Sequence, residues 1–120
     1  MIIKTNRLAV VVVALFLAQG ALACDYPERV KDMPDGTAAT RDAMLAGKKA
    51  VESYIANMNT YLECIEAEEA QAIITLRDMD EEARAQRTDN FNKKYNAAVE
   101  EMNRVAEEFN IQLRAYKEQN

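Results

Sequence analysis

Cys24 and Cys64 are the only cysteines of this chain, and they are its best candidates for covalent chemistry. Bonded to each other they would close a loop spanning 40 positions; apart, each is a thiol nucleophile or a metal ligand. The chain contains no His, which removes the commonest general base and the commonest transition-metal ligand together. A Ser-His-Asp or Cys-His arrangement is therefore excluded. Two cysteines so far apart in sequence suggest neither a zinc cluster nor a carboxylate–histidine di-iron site within one chain. There is no glycine-rich phosphate loop. Nothing here combines a nucleophile, a tuned base and an enclosed pocket, so the sequence reads as non-enzymatic, with no cofactor and no evident small-molecule substrate.

Carboxylates are the other chemical candidates. Glu63, Glu66, Glu68 and Glu69 could be paired for acid–base work, but a solvated helix face accounts for most of them. Glu69 is the exception, because its position falls on an apolar seam where Lys or Arg would have to pair with it. Asp78-x-Asp80-x-Glu82, with Asp89 further on, loosely imitates a calcium loop; the sixth position needs Gly and holds Ala83. An acidic helix cap explains the same residues. With Lys+Arg 15 against Asp+Glu 20, the chain lacks the cationic surface from which nucleic-acid binders draw most of their affinity.

The first residues set the compartment. Lys4 and Arg7 precede the apolar run Leu8 to Ala18, and Gln19-Gly20-Ala21-Leu22-Ala23 supplies small residues of the A-x-A type. A basic start, an apolar stretch too short to span a bilayer and a small-residue site make an export signal over residues 1–23, cleaved before Cys24. Lys4 and Arg7 are its only charges, so the mature chain carries 13 Lys+Arg against 20 Asp+Glu, a net charge of −7. Export implies a periplasmic or secreted protein in an oxidising compartment, where Cys24 and Cys64 read as a disulfide. A Cys at the first mature position is also the lipid acceptor of bacterial lipoproteins. That alternative, a lipid-anchored envelope component, stays open, although the lipoprotein signal usually has its Leu one residue earlier than Leu22.

Two long elements must position all of this. From Ala38 onward there is no Pro and the only Gly is Gly47, in a composition rich in good helix formers. Phe91, Tyr95, Ala98, Met102, Val105 and Phe109 recur at alternating steps of four and three, as do Val51, Ile55, Met58, Leu62 and Ile65. Folding the chain back at residue 80 sets seam against seam, for example Met58 against Met102 and Val51 against Phe109. The expected fold is all-α: an antiparallel, coiled-coil-like two-helix hairpin over residues 38–120 with its turn near 78–82. Dimerisation to a four-helix bundle is left open. Helix one is expected over 38–78 and helix two over 81–118, with Asp80 as the cap of the second. Arg84, Arg87 and Thr88 interrupt the second seam, so Thr88 or Asp89 could be the true cap, with 79–88 a loose segment.

Residues 24–37 contain both prolines and Asp35-Gly36, so they form an extended arm ending in a turn, with Thr37 or Thr40 capping helix one. Cys64 lies about 39 Å along that helix, and an extended arm of this length spans roughly 43–47 Å. The arm can therefore run back to Cys64, and its Tyr26, Val30 and Met33 could cover Tyr54 and Tyr61 beside the seam. Packing explains those tyrosines better than a binding stripe does. At the far end Ile73, Ile74, Leu76 and Met79 lack apolar partners in helix two. They form either a protein-contact patch or a surface covered by the Arg84 and Arg87 stems.

The run Met33-Pro34-Asp35-Gly36, the block Tyr61-Leu62-Glu63-Cys64-Ile65 and the segment Phe109-Asn110 to Lys117 resemble a group of small exported proteobacterial proteins. These share a Cys near the mature N-terminus and a YLxCI-like block, and have no assigned activity. The resemblance implies export and the cysteine pair and adds no mechanism. The envelope chaperones related to spheroplast protein Y share only the architecture, since their L-T-x-x-Q repeat is absent. The function expected is that of an exported helical hairpin acting through a protein partner or self-association. It would bind no nucleic acid, and would meet a membrane only if Cys24 is lipidated. A holdase-type chaperone is a further alternative.

Overall fold

The structure, a computed structural model, describes residues 23–119. The expected export signal lies outside the described residues but for Ala23. Two α-helices follow an arm without regular secondary structure: α1, Arg41–Thr75, and α2, Glu81–Gln119. They pack against each other as an antiparallel hairpin, and among the described residues there is no strand. The all-α hairpin expected from the alternating apolar steps is the fold.

Local chemistry sets the helix ends. Thr40, not Thr37, caps α1: its Oγ1 accepts from the Ala43 N–H at 3.1 Å. Thr37 belongs instead to the turn before it, where its N–H and its hydroxyl both donate to Asp35 Oδ1, at 2.9 and 2.7 Å. Those two donors hold the Asp35 carboxyl below the ordinary carboxylate range. The Ala38 and Ala39 N–H groups donate to the Asp35 carbonyl, so α1 starts at 41 instead of 38.

At the other end α1 stops at Thr75, three residues before the expected boundary. Its last turn carries no basic residue, and Asp78 would place a negative charge at the negative end of the helix dipole. The chain turns instead, with the Leu76 N–H on the Ala72 carbonyl and the Met79 N–H on the Leu76 carbonyl. The Arg84 guanidinium donates to the Arg77 carbonyl at 3.0 Å. Asp80 then caps α2, accepting from the Ala83 N–H at 2.7 Å, and Glu81 and Glu82 occupy the favourable first turn. α2 runs unbroken through Thr88 and Asp89, so 79–88 is neither a separate helix nor a loose segment.

The register differs from the one drawn about residue 80. Glu69 pairs with Arg87, Gly47 faces Phe109, and Lys94 lies over the Tyr61 ring; these pairs are symmetric about residue 78 or just before it. The earlier end of α1 moves the fold-back point toward the chain's N-terminus.

The core contains Met44, Val51, Tyr54, Met58, Tyr61, Leu62 and Ile65 of α1 with Ala98, Val105 and Phe109 of α2. Met58 and Val105 are sealed from solvent, each worth about 2 kcal/mol of transfer free energy. Tyr54 and Tyr61 are buried although they flank the seam, because the arm lies over them. Tyr26 meets Tyr61 edge to face, centroids 5.0 Å apart, and Val30 and Met33 pack on the same cluster.

The arm is fixed along its whole length. At the base of the hairpin, where α1 begins and α2 ends, the Gly36 N–H donates to Gln112 Oε1 at 2.8 Å and the Gln119 amide donates to the Gly36 carbonyl. A Cβ on Gly36 would stand 1.8 Å from the Gln112 carbonyl oxygen, so only glycine allows this approach. Gly47 serves the same end from the helix side, since a Cβ there would stand 2.6 Å from Cγ of Pro34. Midway, Arg29 donates through Nε to Glu101 at 2.8 Å and through Nη2 to Glu108. At Cys24 the arm is bonded to Cys64, with 5.7 Å between the Cα atoms.

Candidate functional site

The exposed apolar side chains are unevenly distributed. Of the six large ones left open to solvent among the described residues, Ile73, Ile74 and Leu76 fall within four positions at the tip, exposed by 44%, 63% and 43%. Met79, the fourth candidate contact residue, is half-buried in the tip loop. Helix geometry explains the exposure. Ile65, Glu69 and Ala72 continue the inward face of α1, and Ile73 and Ile74 take the next positions, rotated away from α2.

The arginines that could have covered this patch are engaged elsewhere. Arg84 reaches back to the Arg77 carbonyl. Arg87 grips Glu69 as a fork, Nε to Oε1 at 3.1 Å and Nη2 to Oε2 at 2.9 Å. That pair resolves the acidic residue placed on the seam: the Glu69 side chain is 15% exposed and needs the guanidinium that Arg87 supplies. It also explains why polar Arg87 interrupts the apolar steps of helix two. The tip is thus joined by an ion pair where the lower hairpin is joined by an apolar core.

The remaining carboxylates fall to solvent or to helix chemistry. Glu63, Glu66 and Glu68 are exposed. Asp80 gives its carboxylate to the Ala83 N–H, while Asp89 sits inside α2 and pairs with Lys93 at 2.8 Å. Two of the calcium-like positions are therefore occupied by contacts within α2.

The fold does bring the distant cysteines together, and adds a residue that spacing did not single out for them. Glu68 Oε2 lies 3.0 Å from Cys24 Sγ, so two sulfurs and a carboxylate converge within 4.8 Å. Sequence spacing set this group aside because the cysteines are 40 positions apart; the arm closes that distance. With the sulfurs bonded to each other they offer no thiolate to a metal. Glu68 instead sets a negative charge beside the bridge, where it would repel an incoming thiolate.

The tyrosines form a packed cluster. Burial pushes the Tyr26 and Tyr54 hydroxyls above their ordinary pKa, with the Glu101 carboxylate adding to the effect in each case. The Tyr54 hydroxyl is enclosed with no hydrogen-bond partner. Among the described residues no helix is long and apolar enough to cross a membrane. No family model, curated protein or solved structure matches this chain.

Proposed function

We propose that this chain is a non-enzymatic exported protein that acts through protein–protein contacts made at the tip of its hairpin. The exposed group Ile73, Ile74 and Leu76 carries this reading. Large apolar side chains gathered at one end of an acidic hairpin favour a partner or a second copy over solvent. The ion pair and backbone contact that hold Arg87 and Arg84 leave the patch uncovered. A leader of the export type and a cysteine pair suited to an oxidising compartment support the location.

The bond between Cys24 and Cys64 favours this form over the lipid-anchored alternative, which needs Cys24 free for acylation. Intact mass of the exported protein, with and without reductant, separates the two. A disulfide removes two hydrogens, whereas acylation adds a lipid.

The functional test is Ile74→Glu. The substituted side chain is exposed, so helicity and melting temperature should match the parent. Self-association, or recovery of a crosslinked partner from the native compartment, should fall at least tenfold. Loss of helicity would make the patch part of the core, and unchanged association would place the contact elsewhere.

A further inference from the structure

The hairpin has two flanks, and the arm covers only one. Gly47, Tyr54 and Tyr61 mark the covered flank of α1; on the opposite flank a groove of about 550 Å³ opens between the helices at the base, lined by no residue of the arm. Met44, Val51 and Ile55 of α1 meet Phe109 and Leu113 of α2 there. This volume lies within the range of small-molecule sites, roughly 300–1,000 Å³.

Charge identifies the occupant. Arg41, Lys48 and Lys117 line the groove against the single acid Glu52, a local excess of two positive charges on a chain whose net charge is −5. Glu52 is taken up by Lys48 at 3.7 Å, while Arg41 and Lys117 form no ion pair with any described residue. Both belong to the base, one at the start of α1 and the other near the end of α2. Arg41 occupies the first helical turn, where the dipole disfavours a cation, so helix stability does not account for it.

We propose that the groove binds a single-chain anionic amphiphile, a long-chain fatty acid, with its carboxylate between Arg41 and Lys117 and its chain along Val51 and Ile55. The guanidinium and ammonium supply charge-assisted donors to the head, and the apolar walls take the chain. The run from Arg41 to Ile55 is about 21 Å of helix, long enough for an extended acyl chain. This site is remote from the tip, and neither proposal depends on the other.

The test is titration of the exported, disulfide-intact protein with sodium laurate below its micellar concentration, by calorimetry and methyl NMR. Saturable one-to-one binding is expected, shifting the methyls of Val51, Ile55 and Leu113 and leaving those of Ile74 in place. 1-Dodecanol should bind more weakly despite its greater apolarity. Joint Arg41→Gln and Lys117→Gln substitution, both at exposed positions, should weaken laurate about fivefold. Ala106→Phe, which fills the groove, should abolish binding; should that variant not fold, the charge-removed variant decides. The proposal is overturned by absence of saturable laurate binding, by equal or tighter binding of dodecanol, or by indifference to the loss of both cations. A dimer that buries the groove without laurate would overturn it too.

Discussion

The lower and upper parts of the same hairpin are built differently. From Met44 to Ile65 on α1, and from Ala98 to Phe109 on α2, the helices bury a continuous apolar core. Between Glu66 and Ala97 no residue is buried. The boundary coincides with Cys64, where the arm is bonded. Two helices alone expose most of what they would bury, and a small two-helix unit is marginal for that reason. A third segment laid along one flank closes the core of the lower part on that side, while the upper part relies on one forked ion pair and a capped loop. A stable base and an open tip thus result from where the arm is bonded.

The largest expected effect comes from cutting the arm loose. Joint Cys24→Ser and Cys64→Ser substitution removes a crosslink whose loop-entropy contribution is about 4 kcal/mol, enough to lower the melting temperature by on the order of 20 °C. Hydrogen exchange should show where the loss falls. Amides of α1 between Met44 and Ile65 should drop toward the low protection of the tip, and the tip itself should change little. An unchanged melting curve would mean that the helices hold the base without the arm.

The next effect sharpens the contrast within the helices. Met58→Ala empties a fully buried site and should cost about 3 kcal/mol. Phe91→Ala, at a half-buried ring beyond the core boundary, should cost below about 1.5 kcal/mol. Equal costs by chemical denaturation would show that core packing extends into the upper hairpin.

Much of this was legible in local pattern. Alternating steps of four and three from Val51 to Ile65 and from Phe91 to Phe109 announced two helices facing each other, and the two prolines with Asp35-Gly36 announced the arm. Tyr54 and Tyr61 beside the seam pointed to the side it covers. What stayed hidden depends on contacts between distant residues. The fold-back point fell at residue 78 instead of 80 because α1 stops at Thr75, and the turn that follows includes a contact from Arg84, seven positions on, to the Arg77 carbonyl. Gly36 and Gly47 carry no local sign of their purpose; each is required only once the arm lies against a helix. Arg87 looked like a break in the seam until its partner Glu69 was known. The tip residues were visible as an unmatched apolar run. The cations of the bare flank were not legible, because nothing in sequence distinguishes a free lysine from a paired one.

The smallest effect probes a flaw inside the braced region. The Tyr54 hydroxyl is buried without a partner, and an enclosed polar group costs free energy when it exchanges water for nothing. Tyr54→Phe keeps the buried ring and deletes only the oxygen. It should stabilise the fold by about 1 kcal/mol, a rise of a few degrees in melting temperature. Alkaline pH supplies the complementary measurement. Burial raises the Tyr54 pKa above its ordinary value of 10.0, so the unfolded chain loses this proton first. The contribution of the neutral phenol is complete below pH 10 and is lost as pH climbs from there through the raised folded value. Parent protein should therefore lose stability above pH 10 faster than the Phe variant, which retains the same-signed contributions of Tyr26 and of Lys93 beside Asp89. A Phe variant that is less stable at neutral pH would mean that the hydroxyl is bonded after all, and that the arm closes over Tyr54 less tightly than over Tyr61.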